Sequence, residues 1–310
     1  MREYASPGVA IVAVGAVLLA GVYVLAVLDR FIGSVVAVSP RRWTRLVAEP
    51  VQTSALLVLQ QRRVTERPDA PAWALAPALL AGLAAVALAM VPLDRHLVVA
   101  DPATGFVVFS AAIAMVMIAV YLHGWGPNSA FALHGAYRYG AQAFSFQIPF
   151  LLAMLATALP AESLSIVDIV EAQEAIWNVV RQPAGLPLYL VVGLAVSFWG
   201  PLNLPDGVDL AGGTSVEDSG ISRLLWGVAR SSMLVSVAAM GAAVFLGGWW
   251  GPWLPGWAWM IIKTLALLVV LLCAGHLLAR VRIEQFVLVS WVFLIPVALL
   301  NVFVSGALLL

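Results

Sequence analysis

Eight stretches of this chain are too apolar and too long to sit anywhere but in a lipid bilayer or a fully buried core. They fall near residues 8–28, 72–92, 105–123, 143–160, 186–200, 222–246, 257–279 and 286–309, each about 15 to 25 residues long, the length that crosses a membrane as a helix. Lipid cannot hydrogen-bond a bare backbone, so such runs must be helical, and no ten-residue alternating pattern suggests a barrel. The expected fold is all-α, a polytopic membrane bundle of about eight transmembrane helices. The run at 186–200 is the shortest and the weakest. With 63% hydrophobic and 10% charged residues, against about 25% charged in a soluble domain, the composition excludes a soluble globular protein.

Arginines set the expected orientation, since basic residues near span ends stay on the cytoplasmic side. Arg30, Arg41, Arg42, Arg45, Arg62, Arg63, Arg67, Arg138, Arg223, Arg280 and Arg282 fall on one side, and Arg2, Arg95 and Arg181 on the other. Eight spans with both termini outside satisfy that split. The first run is about 21 residues long against the 7–15 of a signal core, and Asp29-Arg30 follows it in place of a cleavage site, so it reads as a span. The single Cys273 excludes an intrachain disulfide and any cysteine-based zinc or iron–sulfur site. Residues 1–310 read as one membrane domain, with inside loops at 29–71 and 200–221. Within the first loop, Trp43 to Gln60 mixes Arg45, Glu49 and Gln52 with Leu46, Val47, Val51, Leu56, Leu57 and Leu59. That pattern suits a helix lying in the interface, interrupted at Pro50; the alternative is an ordinary surface loop.

The second loop is the most polar part of the chain. It reads Phe198-Trp-Gly-Pro-Leu-Asn-Leu-Pro-Asp-Gly-Val-Asp-Leu-Ala-Gly-Gly-Thr-Ser-Val-Glu-Asp-Ser-Gly220, between two apolar runs. It resembles the acidic loop of the subunit 1 family (the H-type membrane subunit) of respiratory complex I, the NADH-quinone oxidoreductase, whose pattern is roughly N-R-x-P-F-D-x-P-E-A-E-x-E-L-x-x-G-Y-x-x-E-Y-S-G. Further segments resemble that family in order: Gly124-Trp125-Gly-Pro-Asn128-Ser129 with Ala-Leu-His-Gly-Ala-Tyr-Arg138 and Gln142, then Ser145-Phe-Gln147-Ile-Pro149 and Ser163 to Gln173. Phe245 to Trp249, Lys263-Thr264, Arg280-Val-Arg282-Ile-Glu284-Gln285 and Asn301 complete a match over about residues 120–310. The first 120 residues match less: of the family's E-R pair and its R-x-G-P-N-R-x-G-P segment, only Asp29-Arg30 and Arg45-Leu-Val-Ala-Glu-Pro50 remain.

Two departures bear on mechanism. The family's glutamate in S-Y-E-I-P is Gln147 here, and its sixth-span glutamate aligns with Arg230. Intramembrane carboxylates serve proton relays because they can take up and release a proton, whereas Gln does not ionise and Arg does not give its proton up. In the loop, Asp206, Asp209 and Glu217 stand at glutamate positions of the pattern, while Val208 and Asn203 replace two other acids. Clustered carboxylates can pass protons. They equally suit a solvated surface that docks a basic partner. The resemblance thus makes Arg30, Arg138, Gln147, Asp206, Asp209, Glu217, Arg230, Arg280 and Arg282 the candidates for a quinone chamber or proton path, with no catalytic or metal-binding residue in the chain.

Arg230 lies about 12 Å into its helix and needs a partner, either Asp209 or Glu217 folded back, or a neighbouring subunit's carboxylate. Lys263 either snorkels to the headgroups or serves a polar interior. Arg138, Arg280 and Arg282 either pair with the acidic loop or simply obey the inside rule. His96, His123, His134 and His276 show no metal spacing and are expected near interfaces without a catalytic role. Five tryptophans between Trp249 and Trp259 read as an aromatic belt.

The resemblance implies a membrane subunit of a proton-translocating NADH:quinone oxidoreductase in the cell membrane, lining the quinone chamber and joining the redox arm to the membrane arm. It implies quinone as substrate, no cofactor held by this chain, and partners among other membrane-arm and peripheral-arm subunits and lipid, with no nucleic acid. Two rivals remain open: a structural anchor paralogue that has lost relay acids, and the membrane anchor of a related hydrogenase.

Overall fold

The computed structural model describes residues 7–38 and 42–308, so Arg2 and Arg41 lie outside the described residues. In chain order the helices are α1 (Pro7–Val36), α2 (Trp43–Leu59), α3 (Ala70–Ala89), α4 (Gly105–Trp125), α5 (Ala130–Ala158), α6 (Ile166–Glu171), α7 (Asn178–Arg181), α8 (Gly185–Val196), α9 (Gly220–Phe245), α10 (Gly256–Leu277), α11 (Ile283–Val289) and α12 (Ile295–Ala307). A π turn at Ser290–Leu294 joins α11 to α12 as one continuous rod. Pro296 follows that turn and has no N–H to return to it, which favours the wider winding. Among the described residues no strand forms, and seven helices are long and apolar enough to cross a bilayer.

The run expected at 186–200 folds as α8, only 12 residues long. At 1.5 Å per residue that is about 18 Å, short of the roughly 30 Å hydrocarbon core. Such a helix crosses a bilayer only with loops at membrane depth, which is tolerable only when protein surrounds them. Leu188, Tyr189, Val192, Ala195 and Val196 are all buried, with α5 and α9 packed against them. The carbonyls freed where α8 stops are taken by side chains from its neighbours. Tyr139 Oη donates to Val196 O (2.7 Å), and Gln142 Nε2 donates to Ala195 O (3.0 Å) and Leu202 O (2.9 Å).

α9 is the central helix: 83% of its most apolar window is buried, against 17% for α1. α1, α3, α8 and α10 surround it. Its buried face is rich in small residues, Ser232, Ser236, Ala238, Ala239, Gly241, Ala242 and Ala243, which let backbones approach closely where lipid gives no hydrophobic drive between helices. Ser236 Oγ donates across the interface to Ala84 O at 2.8 Å.

The polar N-terminal loop is more ordered than its sequence suggests. α2 runs unbroken through Pro50, contrary to the expected interruption. Pro50 is buried against the bundle, and that packing keeps the helix continuous although Pro50 has no N–H to give to Leu46 O. α2 is pinned to α1 by Arg30, whose Nε meets Glu49 at 3.4 Å and whose Nη2 donates to Thr53 Oγ1 at 3.4 Å, and by Tyr23 Oη to Val47 O at 3.0 Å.

Candidate functional site

Between α8 and α9 the chain folds into a compact knot of three 3-10 turns, Gly200–Leu202, Val208–Leu210 and Gly213–Ser215. Gly213 permits it: φ is +54°, and a Cβ there would lie 1.7 Å from Pro205 O. That close approach turns the chain back so that Thr214 Oγ1 (2.5 Å) and Ser215 Oγ (3.1 Å) both donate to Asp206 Oδ1. The other oxygen, Oδ2, faces α9 and takes Arg230 Nη1 at 3.2 Å.

Arg230 is the centre of this knot. Its Nε donates to Ser197 O at 3.2 Å and its Nη2 to Phe198 O, so the guanidinium caps the carbonyl end of the short α8. With its amide oriented to satisfy both neighbours, Asn203 donates to Phe198 O (3.1 Å) and accepts from Arg230 Nη2 (3.2 Å). The guanidinium also lies over the Phe198 ring (4.6 Å) and the Trp199 ring (4.8 Å). The expected partners Asp209 and Glu217 are not the ones used; Asp206 is, because the loop presents it inward and the other two elsewhere.

Beside the knot is a cavity of about 620 Å³ bounded by α1, α2, the loop and α9. Val22, Ala26, Pro50 and Leu57 form its apolar side, and Arg30, Asp206, Asp218, Arg223 and Arg230 its polar side. Of the residues singled out from sequence, the cavity gathers Arg30, Asp206 and Arg230. Arg280 touches the same loop from outside, its Nη1 donating to Asp206 O at 3.3 Å.

The others lie apart. Arg138 and Asp209 pair at 2.6 Å on the exposed side of the loop. The Arg138 hydrogen bond holds the Asp209 carboxyl below its usual value against the opposing effect of burial, with the charges of Arg138 and Arg280 and a backbone hydrogen bond adding to it. Glu217 is half-buried in the turn before α9, and Gln147 half-buried in mid-α5, away from the cavity lining. Arg282 is exposed at the start of α11, where its backbone N–H donates to Gln285 Oε1 at 3.3 Å.

Burial decides one expectation from sequence and adds detail to two others. Lys263 does not snorkel: it is 5% exposed, and its Nζ donates to Gly248 O (2.9 Å) and Trp250 O (2.6 Å) while lying 4.1 Å from the Trp177 ring centre. Of the belt tryptophans, Trp249 is buried and Trp250 Nε1 donates to Val170 O at 3.0 Å, leaving Trp253 and Trp257 exposed. His123, in the last turn of α4, is 1% exposed, bonded through Nε2 to Asp218 Oδ2 at 2.9 Å and stacked on Trp226 at 3.6 Å. Sequence reading missed that pair, and also His276 with Asp29 (2.9 Å), because each joins residues from distant segments. The only local signal was a lone histidine at the end of an apolar helix. Among the described residues no cluster of metal ligands occurs.

A sequence profile of the NADH dehydrogenase family matches residues 9–306. Among curated proteins, the chain is 31% identical over 269 residues to the NADH-quinone oxidoreductase H 2 subunit of Syntrophobacter fumaroxidans, covering 84% of this chain and 81% of that protein. It is 30% identical over 274 residues to the NADH-quinone oxidoreductase H subunit of Carboxydothermus hydrogenoformans, covering 87% and 77%. To the NADH-quinone oxidoreductase H 1 subunit of Rhodopseudomonas palustris it is 31% identical over 270 residues, covering 87% and 83%. With nearly its whole length matched and its apolar helices long enough to span a bilayer, the chain belongs to the NADH dehydrogenase family of membrane subunits.

Proposed function

We propose that this protein is the H-type subunit of an NADH:quinone oxidoreductase in the cell membrane, and that the cavity between α1, α2, the acidic loop and α9 is its quinone passage. The observation that carries the reading is the asymmetry of that 620 Å³ space. One wall is aliphatic and suits an isoprenoid tail, while Arg30 and Arg230 on the other suit the carbonyl oxygens of a head group. The chain itself supplies shape, hydrogen-bond donors and fixed charge; NADH oxidation and electron delivery fall to partner subunits. The exposed Arg138–Asp209 pair and Arg280 form a docking face for the redox arm, on the cytoplasmic side. α2, with Trp43, Val47, Val51, Leu56 and Leu59 exposed, lies against the lipid interface and shapes the entrance.

The test is photo-crosslinking with an azido-quinone in native membranes, followed by peptide mapping. Label in α1, α2 or residues 198–231, competed by unlabelled quinone, supports the reading. Label confined to other segments, or purification of this chain without any NADH-oxidising partner, overturns it. A second reading, a structural paralogue in an assembly that does not pump, is favoured by Arg230 itself, which caps α8 and holds Asp206 where the family pattern has an ionisable glutamate. Quinone reduction without proton uptake in sealed vesicles distinguishes that case.

A further inference from the structure

A second cavity, of about 340 Å³, lies between α1, α9 and α10 at the end of the bundle opposite the acidic loop, under the chain that follows α3. Residues 13–24 of α1, Val235 and Ala239 of α9 and residues 260–268 of α10 supply its long walls, and Leu93 and Val99 its far end. Every side chain that lines it is apolar except Thr264, whose Oγ1 already donates to Met260 O at 2.8 Å. A space without free polar partners does not hold water: an engineered apolar cavity of about 150 Å³ stays dry and takes hydrocarbon guests. This one is larger and as apolar, so the occupant it suits is hydrocarbon.

The open side lies between α1 and α10. Val17 and Val24 on α1 and Ile261 on α10 line the cavity and are exposed, whereas Val235 and Ala239 on the α9 wall are buried. Both rim helices are long and apolar enough to cross the bilayer, so the rim is continuous with the surface that they turn to lipid. At about 1.5 Å per residue the α1 wall is about 16 Å long, half of the roughly 30 Å hydrocarbon core. The cavity thus has the depth of one leaflet. Exposed Trp257, one turn before Met260, marks the head-group level at its far end. Towards the acidic loop the space narrows where Gly21 meets Val235, since a Cβ on Gly21 would lie 2.8 Å from Val235 Cγ1. The cavity beside the acidic loop starts from Val22 of the same helix. A guest from that side meets the Gly21 contact first, whereas a lipid chain enters sideways from the bilayer.

We propose that this cavity is a binding site for one acyl chain of a phospholipid from the leaflet opposite the acidic loop. The chain lies along α1, fills the space that the short residues Ala20, Gly21 and Ala239 leave open, and holds α1 at its distance from α9. The head group stays outside, at the level of Trp257. α1 is the least buried of the seven long helices, with 17% of its most apolar window inside the protein. A guest that bridges it to α9 and α10 adds the packing contacts that the protein does not supply there. The proposal is independent of the quinone reading above.

The test uses the assembled complex in nanodiscs of a phosphatidylcholine that carries a diazirine on one acyl chain, with residue-level mapping after illumination. Residues 232–245 of α9 are all buried, so bulk lipid does not reach them. Label at Val235 or Ala239, beside the ordinary surface label at exposed Ile11 and Ile262, is the expected result. Surface label with none on residues 232–245 overturns the proposal. Ala20→Phe narrows the rim from an exposed position and should abolish the α9 label, while the label at Ile11 and Ile262 and the amount of assembled complex stay as in wild type. Undiminished α9 label in that variant overturns entry through this rim; should the variant not assemble, the wild-type map alone decides. An isoprenoid quinone added in excess should leave the α9 label in place. Loss of that label would give the space to a quinone tail and overturn the phospholipid assignment.

Discussion

At the scale of single residues, depth and partners decide what a charge does. Arg230 and Asp209 are both ion-paired, yet they differ in consequence because Arg230 is 18% exposed in its side chain and Asp209 is 62% exposed. Arg230→Leu leaves Asp206 and two carbonyls of the α8 end without their donor, so a loss of about 3–5 kcal/mol is expected, read as a lower unfolding temperature in detergent. Arg230→Glu, the change that would restore the family's acid, places a carboxylate against those same acceptors and should assemble less well than Arg230→Leu. Arg138→Gln should cost under about 1 kcal/mol, because solvent screens an exposed pair. Its small contribution has a definite pH sign. Asp209 has a lowered value when folded, so the stability it gives is complete above the ordinary 3.8 and fades as pH falls through the lowered value. Acid titration of wild type and Arg138→Gln should therefore converge as pH falls through that lowered value and stand fully apart above the ordinary 3.8.

At the scale of elements, the short helix α8 shows how one departure from regular length is compensated on several sides. Its loop-side end is met by Tyr139, Gln142 and Arg230. At the opposite end of the bundle the C-terminus of α9 is met in the same manner. Gln173 Nε2 donates to Ala243 O (3.0 Å) while its Oε1 accepts from Asn178 N (3.1 Å) and Gly247 N (3.0 Å), and Asn178 Nδ2 donates to Val244 O (2.9 Å). Gln173→Ala removes the partner of four backbone groups at once, these three and Ile169 O, to which Nε2 also donates at 3.1 Å. An expected cost of about 2–4 kcal/mol follows, since each buried group left unsatisfied loses about 1–3 kcal/mol and some recover a partner. The readout is thermal unfolding, with faster hydrogen exchange confined to residues 173–181 and 243–248. Exchange spread evenly through α9 would contradict this account.

For the whole molecule, three acids that look equivalent in one loop are placed in three settings: Asp206 turned inward against Arg230, Asp209 exposed with Arg138, and Glu217 half-buried in the turn before α9. Asp206→Asn should lower assembly with partner subunits most and Asp209→Asn less, through the docking face, whereas Glu217→Gln should leave the amount of assembled complex within about twofold. Native electrophoresis of membranes carrying each variant checks the ranking. Equal losses for all three would mean the loop acts as one docking surface and the separation of its acids has no consequence.

The all-helical bundle, the positions of its long spans and the resemblance to the complex I family were legible in the residues, because the demand that lipid makes on a backbone is local: a run of apolar residues must satisfy its own hydrogen bonds. The weakness of the run at 186–200 was also legible, as a deficit of length. What that deficit required was not. The choice of Asp206 over Asp209 for Arg230, the burial of Lys263 under Trp177 and the meeting of His123 with Asp218 join residues 13 to 95 positions apart or on separate loops. Such pairings depend on which carbonyls a neighbouring helix leaves free and on where a glycine such as Gly213 lets the chain turn back. Hydropathy is a property of each segment and is written in its own residues, whereas a buried polar partner is a property of two segments and exists only once they pack.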